Sequence, residues 1–418
     1  MDRGPLHSGH SSSDNPPSTS QRLPILAGYF PAWSIYERNY NVADIDAEHL
    51  SHILYAFANI HENGTIILGD PWADTEKHFE KDQTVNHKAD KWMANVNNLY
   101  GNFKQLYFLK RRHPNLKVSL SVGGWSWSTL FPTVAMDVEK RKRFAMSAAQ
   151  HINDLGLDGI DIDWEFPKTE QEGQAFVTLL KDVRSALNDT QSSANNTPYL
   201  LSVAVGCGPD NYKYLHLREM DDYVDLFYLM AYDLAGAWNE KTGHQAALYR
   251  DKKINNVQQL TVHDAITHFA KMIPRHKLVM GLPMYGRSFS KTTGPYAEFD
   301  GVPDGTWEKG SYDYKDLPRP GALEIYDPEI GASWSYDAKL QEYVTYDNHQ
   351  VVQQKAQYVM DQGLGGCFFW ELTGGGSNDS QRNLLTAAFY SLGSKLDTTP
   401  NHLSYPASHY DNIRSFAT

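Results

Sequence analysis

Residues 158–165 read Asp-Gly-Ile-Asp-Ile-Asp-Trp-Glu, and they place three carboxyl groups two residues apart. Apolar residues occupy the intervening positions, which is the pattern of a strand. Asp161, Asp163 and Glu165 therefore share one face, with neighbours about 6–7 Å apart at a rise of ~3.3 Å per residue. Three carboxylates in one protected place cannot all ionise cheaply. Repulsion and partial desolvation raise at least one pKa. Glu165 comes last, and a carboxyl kept protonated near neutral pH suits general acid catalysis, with Asp163 placed to share the proton. The same residues fit two other readings, a site for a hard cation and a structural cluster of buried acids.

The elements that must hold this segment recur along the chain. Apolar runs at 25–30, 52–60, 117–124, 157–165, 200–206, 224–233, 278–285 and 366–372 are rich in Val, Ile, Leu, Phe and Tyr. Several are nearly continuous, as parallel strands buried on both faces should be. Between them lie helical patterns. Phe144, Ala148, Ile152 and Leu155 recur at helical spacing before the fourth run. Phe176, Leu179, Leu180, Val183 and Leu187 do so after it, and Ile266, Phe269 and Ile273 before the seventh. Eight alternating strand and helix units predict a closed (β/α)8 TIM barrel, α/β in class, spanning 23–286 and 346–392. Such barrels hold their chemistry at the C-terminal ends of the strands, where Glu165 falls.

Two intervals are too long for plain loops. The first, 70–103, holds Trp72, Trp92 and a predicted helix. The second, 287–345, carries Trp307, Tyr312, Tyr314, Trp334 and Tyr336 and reads as a small α+β insertion between strands seven and eight. Residues 1–22 are rich in Ser, Pro, Gly and His and read as a disordered tail; as they stand they contain no signal peptide. Residues 393–418 read as an extended tail. Cys207 and Cys367 match no metal or redox spacing and read as buried free thiols. Sequons start at Asn63, Asn188, Asn195 and Asn378. A formal net charge of -12 argues against nucleic acid or an anionic membrane as the main partner. The 10 Trp and 25 Tyr leave a surplus of rings beyond core packing, and flat sugar faces stack on such rings.

At this point the sequence resembles a known family. Residues 158–165 resemble the DGxDxDxE signature of family 18 glycoside hydrolases. Residues 121–126, SVGGWS, are similar to its second signature. Met230-Ala231-Tyr232-Asp233, residues 281–289 (GLPMYGRSF) and residues 365–372 (GGCFFWEL) match further elements in the same order, over about 23–392. The segments TGHQAALY and SYPASHYDNI look like those of fungal chitinases.

The resemblance implies a chitinase that cleaves β-1,4-N-acetylglucosamine linkages by a retaining, substrate-assisted route. It implies Glu165 as general acid and base, Asp163 turning from Asp161 toward the substrate acetamido group, and Tyr232 holding the acetamido oxygen. Trp370 would floor the subsite on the non-leaving side of the cut bond, with Asp233, Met230 and Arg287 lining it. Trp125 and Trp238 would stack sugars on the leaving-group side, while Tyr29 and Phe57 support the pocket by packing. Neither cofactor nor metal is implied, and a monomer acting on chitin and its oligosaccharides is expected. An endo-β-N-acetylglucosaminidase of N-glycans and a non-catalytic chitin lectin are the alternatives. Chitin lies outside the cell and no leader opens the sequence, so both an extracellular and an intracellular location are kept.

Overall fold

The computed structural model describes residues 23–91, 96–190, 197–255, 258–375 and 382–415. Its strands are β1 (Ile25–Pro31), β2 (His52–Ile60), β3 (Ile66–Leu68), β4 (Lys117–Gly123), β5 (Gly159–Asp163), β6 (Leu200–Gly206), β7 (Leu226–Met230), β8 (Leu278–Pro283), β9 (Tyr285–Phe289), β10 (Ser311–Asp313), β11 (Leu323–Asp327), β12 (Ala332–Asp337), β13 (Glu342–Tyr346) and β14 (Gly366–Trp370). Eight of them pair in parallel in the order β1-β14-β8-β7-β6-β5-β4-β2, and β2 pairs back onto β1 to close the barrel. β3 is a short antiparallel flap on β2.

Alternation along each strand divides two cores. On β14, Cys367 and Phe369 point out to the helices, while Phe368 and Trp370 point in. Tyr29, Leu54, Tyr228, Val279 and Phe368 fill the barrel interior. The outer layer includes α1 (Gly101–Arg112), α2 (Phe131–Met136), α3 (Val138–Leu155) and α4 (Glu170–Thr190). α3 starts where the Asp137 side chain accepts the Lys140 N–H, a cap worth about 1 kcal/mol, and stops at Gly156 in the left-handed region, φ 72°. Its buried stripe, Phe144 to Leu155, packs beside the Phe176–Leu187 stripe of α4. Each Leu or Phe so covered contributes about 1.5–3 kcal/mol. The helices that follow are α5 (Pro209–Tyr212), α6 (Leu217–Met220), α7 (Val262–Phe269), α8 (His349–Gln362), α9 (Leu384–Ser391) and α10 (Asp411–Arg414). Among the described residues no helix is long and apolar enough to cross a membrane.

The seventh apolar run breaks at Met284, whose N–H donates to Trp370 O at 2.7 Å. The chain then leaves the barrel, and Tyr285 opens the second sheet, β10-β9-β13-β12-β11. The insertion is therefore a five-stranded antiparallel sheet with a 3-10 turn at Tyr314–Asp316. In the first long interval a π turn spans Trp72–Glu76, and the regular helix begins only at Gly101. Trp92, residues 1–22 and the sequons at Asn195 and Asn378 lie outside the described residues. Both cysteines are buried and free. Residues 397–413 run across the N-terminal end of the barrel. There the Asn401 amide donates to the carbonyls of Lys110, His113 and Leu116, and Tyr405 is buried.

Candidate active site

The register of the barrel assembles the acidic ladder. Ser121 of β4 and Ser202 of β6 both lie opposite Asp161 of β5. Their hydroxyls donate to its two carboxylate oxygens at 2.7 Å each, and Tyr29 Oη donates at 2.9 Å. Burial pushes Asp161 up, and these three donors pull it back. Hydroxyl donors around a carboxylate make a nest for an anion, not for a cation. Among the described residues no three His, Cys, Asp or Glu side chains group as a metal would require.

Asp163 has the opposite surroundings. It is buried, and its Oδ1 has no hydrogen-bond partner among the described residues. Burial first, then the charges of Glu165 and Asp161, raise its pKa well above the usual carboxylate range. An unsatisfied acceptor beside two acids is where a proton settles. Glu165 stands two residues past the end of β5, and Ser128 fixes its backbone. Ser128 Oγ accepts the Glu165 N–H at 2.8 Å and bonds the carbonyls of Gly124 and Asp163. Trp164 points outward and stacks on Phe131 of α2 at 5.3 Å and 10°. Burial and the neighbouring Asp233 push Glu165 up to about 7, partly offset by the backbone N–H of Trp125.

Asp233 adopts φ 55°, a left-handed backbone uncommon for a residue other than glycine. Its carboxylate accepts two bonds from Arg287, Nε and Nη2, at 2.8 Å each, and one from Tyr285 Oη at 2.7 Å. Arg287 thus pairs with Asp233 and also lies on the cleft wall, with its guanidinium 5.5 Å from the Trp238 ring. The Tyr232 ring has room because Gly281 lies beneath it; a Cβ there would come within 2.7 Å of the ring. Its hydroxyl makes no hydrogen bond to any described residue. Trp370 stacks on Phe57 at 5.7 Å and 23° and meets the edge of Tyr29 at 5.3 Å.

These side chains line one cleft of about 1590 Å³ at the C-terminal ends of the strands. Tyr29, Phe57, Trp125, Asp163, Glu165, Met230, Tyr232, Asp233, Trp238, Arg287 and Trp370 all face it, and Asp161 lies behind them. Trp125 is 78% exposed and Trp238 is 60% exposed, large rings left open to the cleft. Gly236 lets Trp238 lie close on its own loop, since a Cβ there would meet the ring at 2.3 Å.

The cleft also holds residues that sequence reasoning missed. Trp33 follows β1, Trp127 follows Trp125, and Trp307 comes from the insertion. Arg38 is ion-paired with Glu371 and lies 5.1 Å over the Trp307 ring, and the Trp307 Nε1–H donates to Asp313 at 2.8 Å. The one available signal was the density of Trp and Tyr in the insertion.

Comparison with known proteins agrees with this geometry. The family model described as "Glycosyl hydrolases family 18" matches residues 25–375. Endochitinase 1 of Metarhizium robertsii is 42% identical over 392 residues, covering 93% of this chain and 90% of that protein. The catalytic domain of the psychrophilic chitinase B from Arthrobacter superposes with a TM-score of 0.81 at 29% identity, covering 93% of this chain and 99% of that one. The Bacillus thuringiensis chitinase ChiA74 also gives a TM-score of 0.81, at 31% identity, covering 90% of this chain and 70% of that one. With a carboxyl ladder at the mouth of a closed barrel and a family match over most of its length, this chain is a glycoside hydrolase and belongs to family 18 of the glycosyl hydrolases.

Proposed function

We propose that this enzyme is a chitinase, hydrolysing β-1,4-N-acetylglucosamine linkages with Glu165 as general acid and base and the substrate's own acetamido group as nucleophile. The observation that carries the reading is the contrast inside the ladder. Asp161 is fully bonded, Asp163 has an open oxygen, and Glu165 is held near pKa 7 at the mouth. A carboxyl half-protonated near neutrality is suited to give a proton and then take one.

The sugar to be attacked rests on Trp370, whose apolar face tolerates a distorted ring. Glu165 gives its proton to the glycosidic oxygen, and the bond from that oxygen to C1 breaks. The acetamido carbonyl oxygen bonds C1 from the opposite side and forms an oxazolinium ion. Asp163 passes the proton it holds to Asp161, accepts the acetamido N–H, and its charge then faces the positive charge that develops. The free hydroxyl of Tyr232 donates to the acetamido oxygen and aims it. Water then gives a proton to Glu165 and adds to C1, and the product keeps its β configuration. Asp163 and Glu165 project from the same end of β5, two residues apart, which suits a proton-sharing pair more than two groups flanking a bond.

The test pairs turnover with binding. Glu165→Gln keeps the shape and removes the proton, so hydrolysis of a fluorogenic chitobioside should fall by at least ~10²–10⁴-fold while oligosaccharide binding persists. Residual activity within about tenfold of wild type, with the fold intact, sinks the assignment. Wild type inert on chitin but active on a glycoprotein would instead favour N-glycan cleavage, and binding without any turnover would favour a lectin.

A further inference from the structure

Behind the loop that carries Trp238 lies a second cavity of about 320 Å³. It adjoins the cleft, and Leu234, Asn239, Gln258 and Leu260 line both. At its wall sits His244, a buried ring packed among Tyr296 (5.4 Å), Trp334 (5.0 Å) and Tyr343 (6.3 Å). Burial pushes its pKa down to about 4, so the imidazole is neutral at ordinary pH.

The tautomer follows from its neighbours. Tyr343 Oη lies 3.1 Å from His244 Nδ1 and 3.1 Å from the Gly243 carbonyl. A phenol has one proton and a carbonyl can only accept, so that proton goes to Gly243. His244 Nδ1–H therefore donates to Tyr343 Oη, and Nε2 is left with a lone pair. No described residue bonds Nε2, so it is the polar atom His244 has left to offer the cavity. Tyr296 forms another part of the wall. Its backbone is held at φ 60°, a left-handed conformation uncommon for a tyrosine. Bonds from Tyr296 N to Thr242 O and from Thr242 Oγ1 to Gly294 O hold that turn in place.

We propose that this cavity binds a single neutral pyranose, one hydroxyl donating to His244 Nε2 and the ring lying against Tyr296. Size favours one sugar ring over a chain, since ligand pockets run from roughly 300 to 1,000 Å³. Charge favours a neutral ligand, because the wall carries one acid and one base, Glu240 and Lys241, and the charges of Asp251 and Asp327 act on Tyr296. The occupant presses on Leu234 and Asn239. Asn239 Oδ1 accepts the Gly236 N–H at 2.8 Å, and Gly236 lies under the Trp238 ring. Filling the cavity therefore changes the position of Trp238 in the cleft. That N-acetylglucosamine is the sugar supplied there rests on the function proposed above; the site itself does not.

The experiment uses the full chain carrying Glu165→Gln, with its cleft saturated by chitotetraose, and titrates N-acetylglucosamine by calorimetry. One further equivalent is expected to bind. His244→Phe, which keeps the ring packing and removes the acceptor, should weaken that event at least tenfold. Ala247→Leu, which fills the cavity from another wall, should do the same and serves if the first variant does not fold. In the otherwise wild-type enzyme, N-acetylglucosamine should lower kcat on a soluble substrate, and either cavity substitution should leave only competitive inhibition. No binding with the cleft filled, or binding undiminished in both variants, overturns the proposal. If chitotetraose does not enter the cleft, the chitinase reading fails instead. Titration of the unfilled protein against the same two substitutions then still decides the site.

Discussion

The two ends of β5 carry acids of the same kind in opposite circumstances. At the base, Asp158 is buried and completely bonded. Lys110 Nζ lies 2.7 Å away, and the backbone N–H groups of Val118 and His402 each donate at 2.7 Å. At the mouth, Asp163 keeps an oxygen without a partner and Glu165 sits near pKa 7. One strand thus holds a finished network that fixes the chain and an unfinished one that holds protons for reaction. A buried acid contributes to stability when its bonds are complete, and becomes chemically useful when they are not.

Substitution at the base should break the comparison from the side of stability. Asp158→Asn removes the charge opposite a fully buried lysine and disturbs the bond to His402 in the C-terminal segment. We expect a loss of about 3–5 kcal/mol in denaturant unfolding, with kcat of the surviving folded protein nearly unchanged. At the mouth, Trp370→Ala should leave the fold standing and cost about 1–3 kcal/mol of transition-state stabilisation in kcat/KM on chitotetraose. If Asp158→Asn instead abolishes turnover at full stability, the two ends are not separate in function.

The ladder also has a pH signature with a fixed sign. Glu165 is raised in the folded state, so the native protein holds protons that the unfolded chain releases. This contribution is present below the unfolded pKa, near 4.5, and is lost as pH rises through about 7. Glu165→Gln should therefore be more stable than wild type at pH 8, by on the order of 1–3 kcal/mol, and indistinguishable at pH 4. Thermal unfolding at the two pH values checks it. A smaller effect should follow Arg287→Ala. It leaves Asp233 as an uncompensated anion beside Glu165, which favours the protonated acid. The alkaline limb of kcat/KM should then move upward by roughly one unit or less. A downward move would show that Arg287 acts on Glu165 by another route.

Much of this was legible in the sequence because the relevant residues are close along the chain. The near-continuous apolar runs mark buried parallel strands, and the eight expected strands are those of the barrel. Asp161, Asp163 and Glu165, like Met230, Tyr232 and Asp233, are neighbours along the chain at the C-terminal end of a single strand. What stayed hidden is made by pairing between distant segments. Ser202 is an ordinary strand serine until β6 settles opposite β5 and brings it to Asp161. Arg38, Trp307 and Glu371 belong to three different parts of the chain, and their meeting depends on how the loops and the insertion fold over the mouth. The strand break at Met284 was hidden for a related reason. Tyr285 continues an apolar run, and only its pairing with Asp313 assigns it to the second sheet.

The claim that the mouth is left unfinished for the substrate to complete is tested most directly on a partly deacetylated chitin. If the acetamido group is the nucleophile, only bonds following an acetylated sugar can be cut. Proton NMR of fresh product should show the β anomer first, and sequencing of the new reducing ends should find N-acetylglucosamine at every one. An initial α product, or new ends carrying glucosamine as often as N-acetylglucosamine, would contradict substrate assistance and return Asp163 to the role of a direct participant.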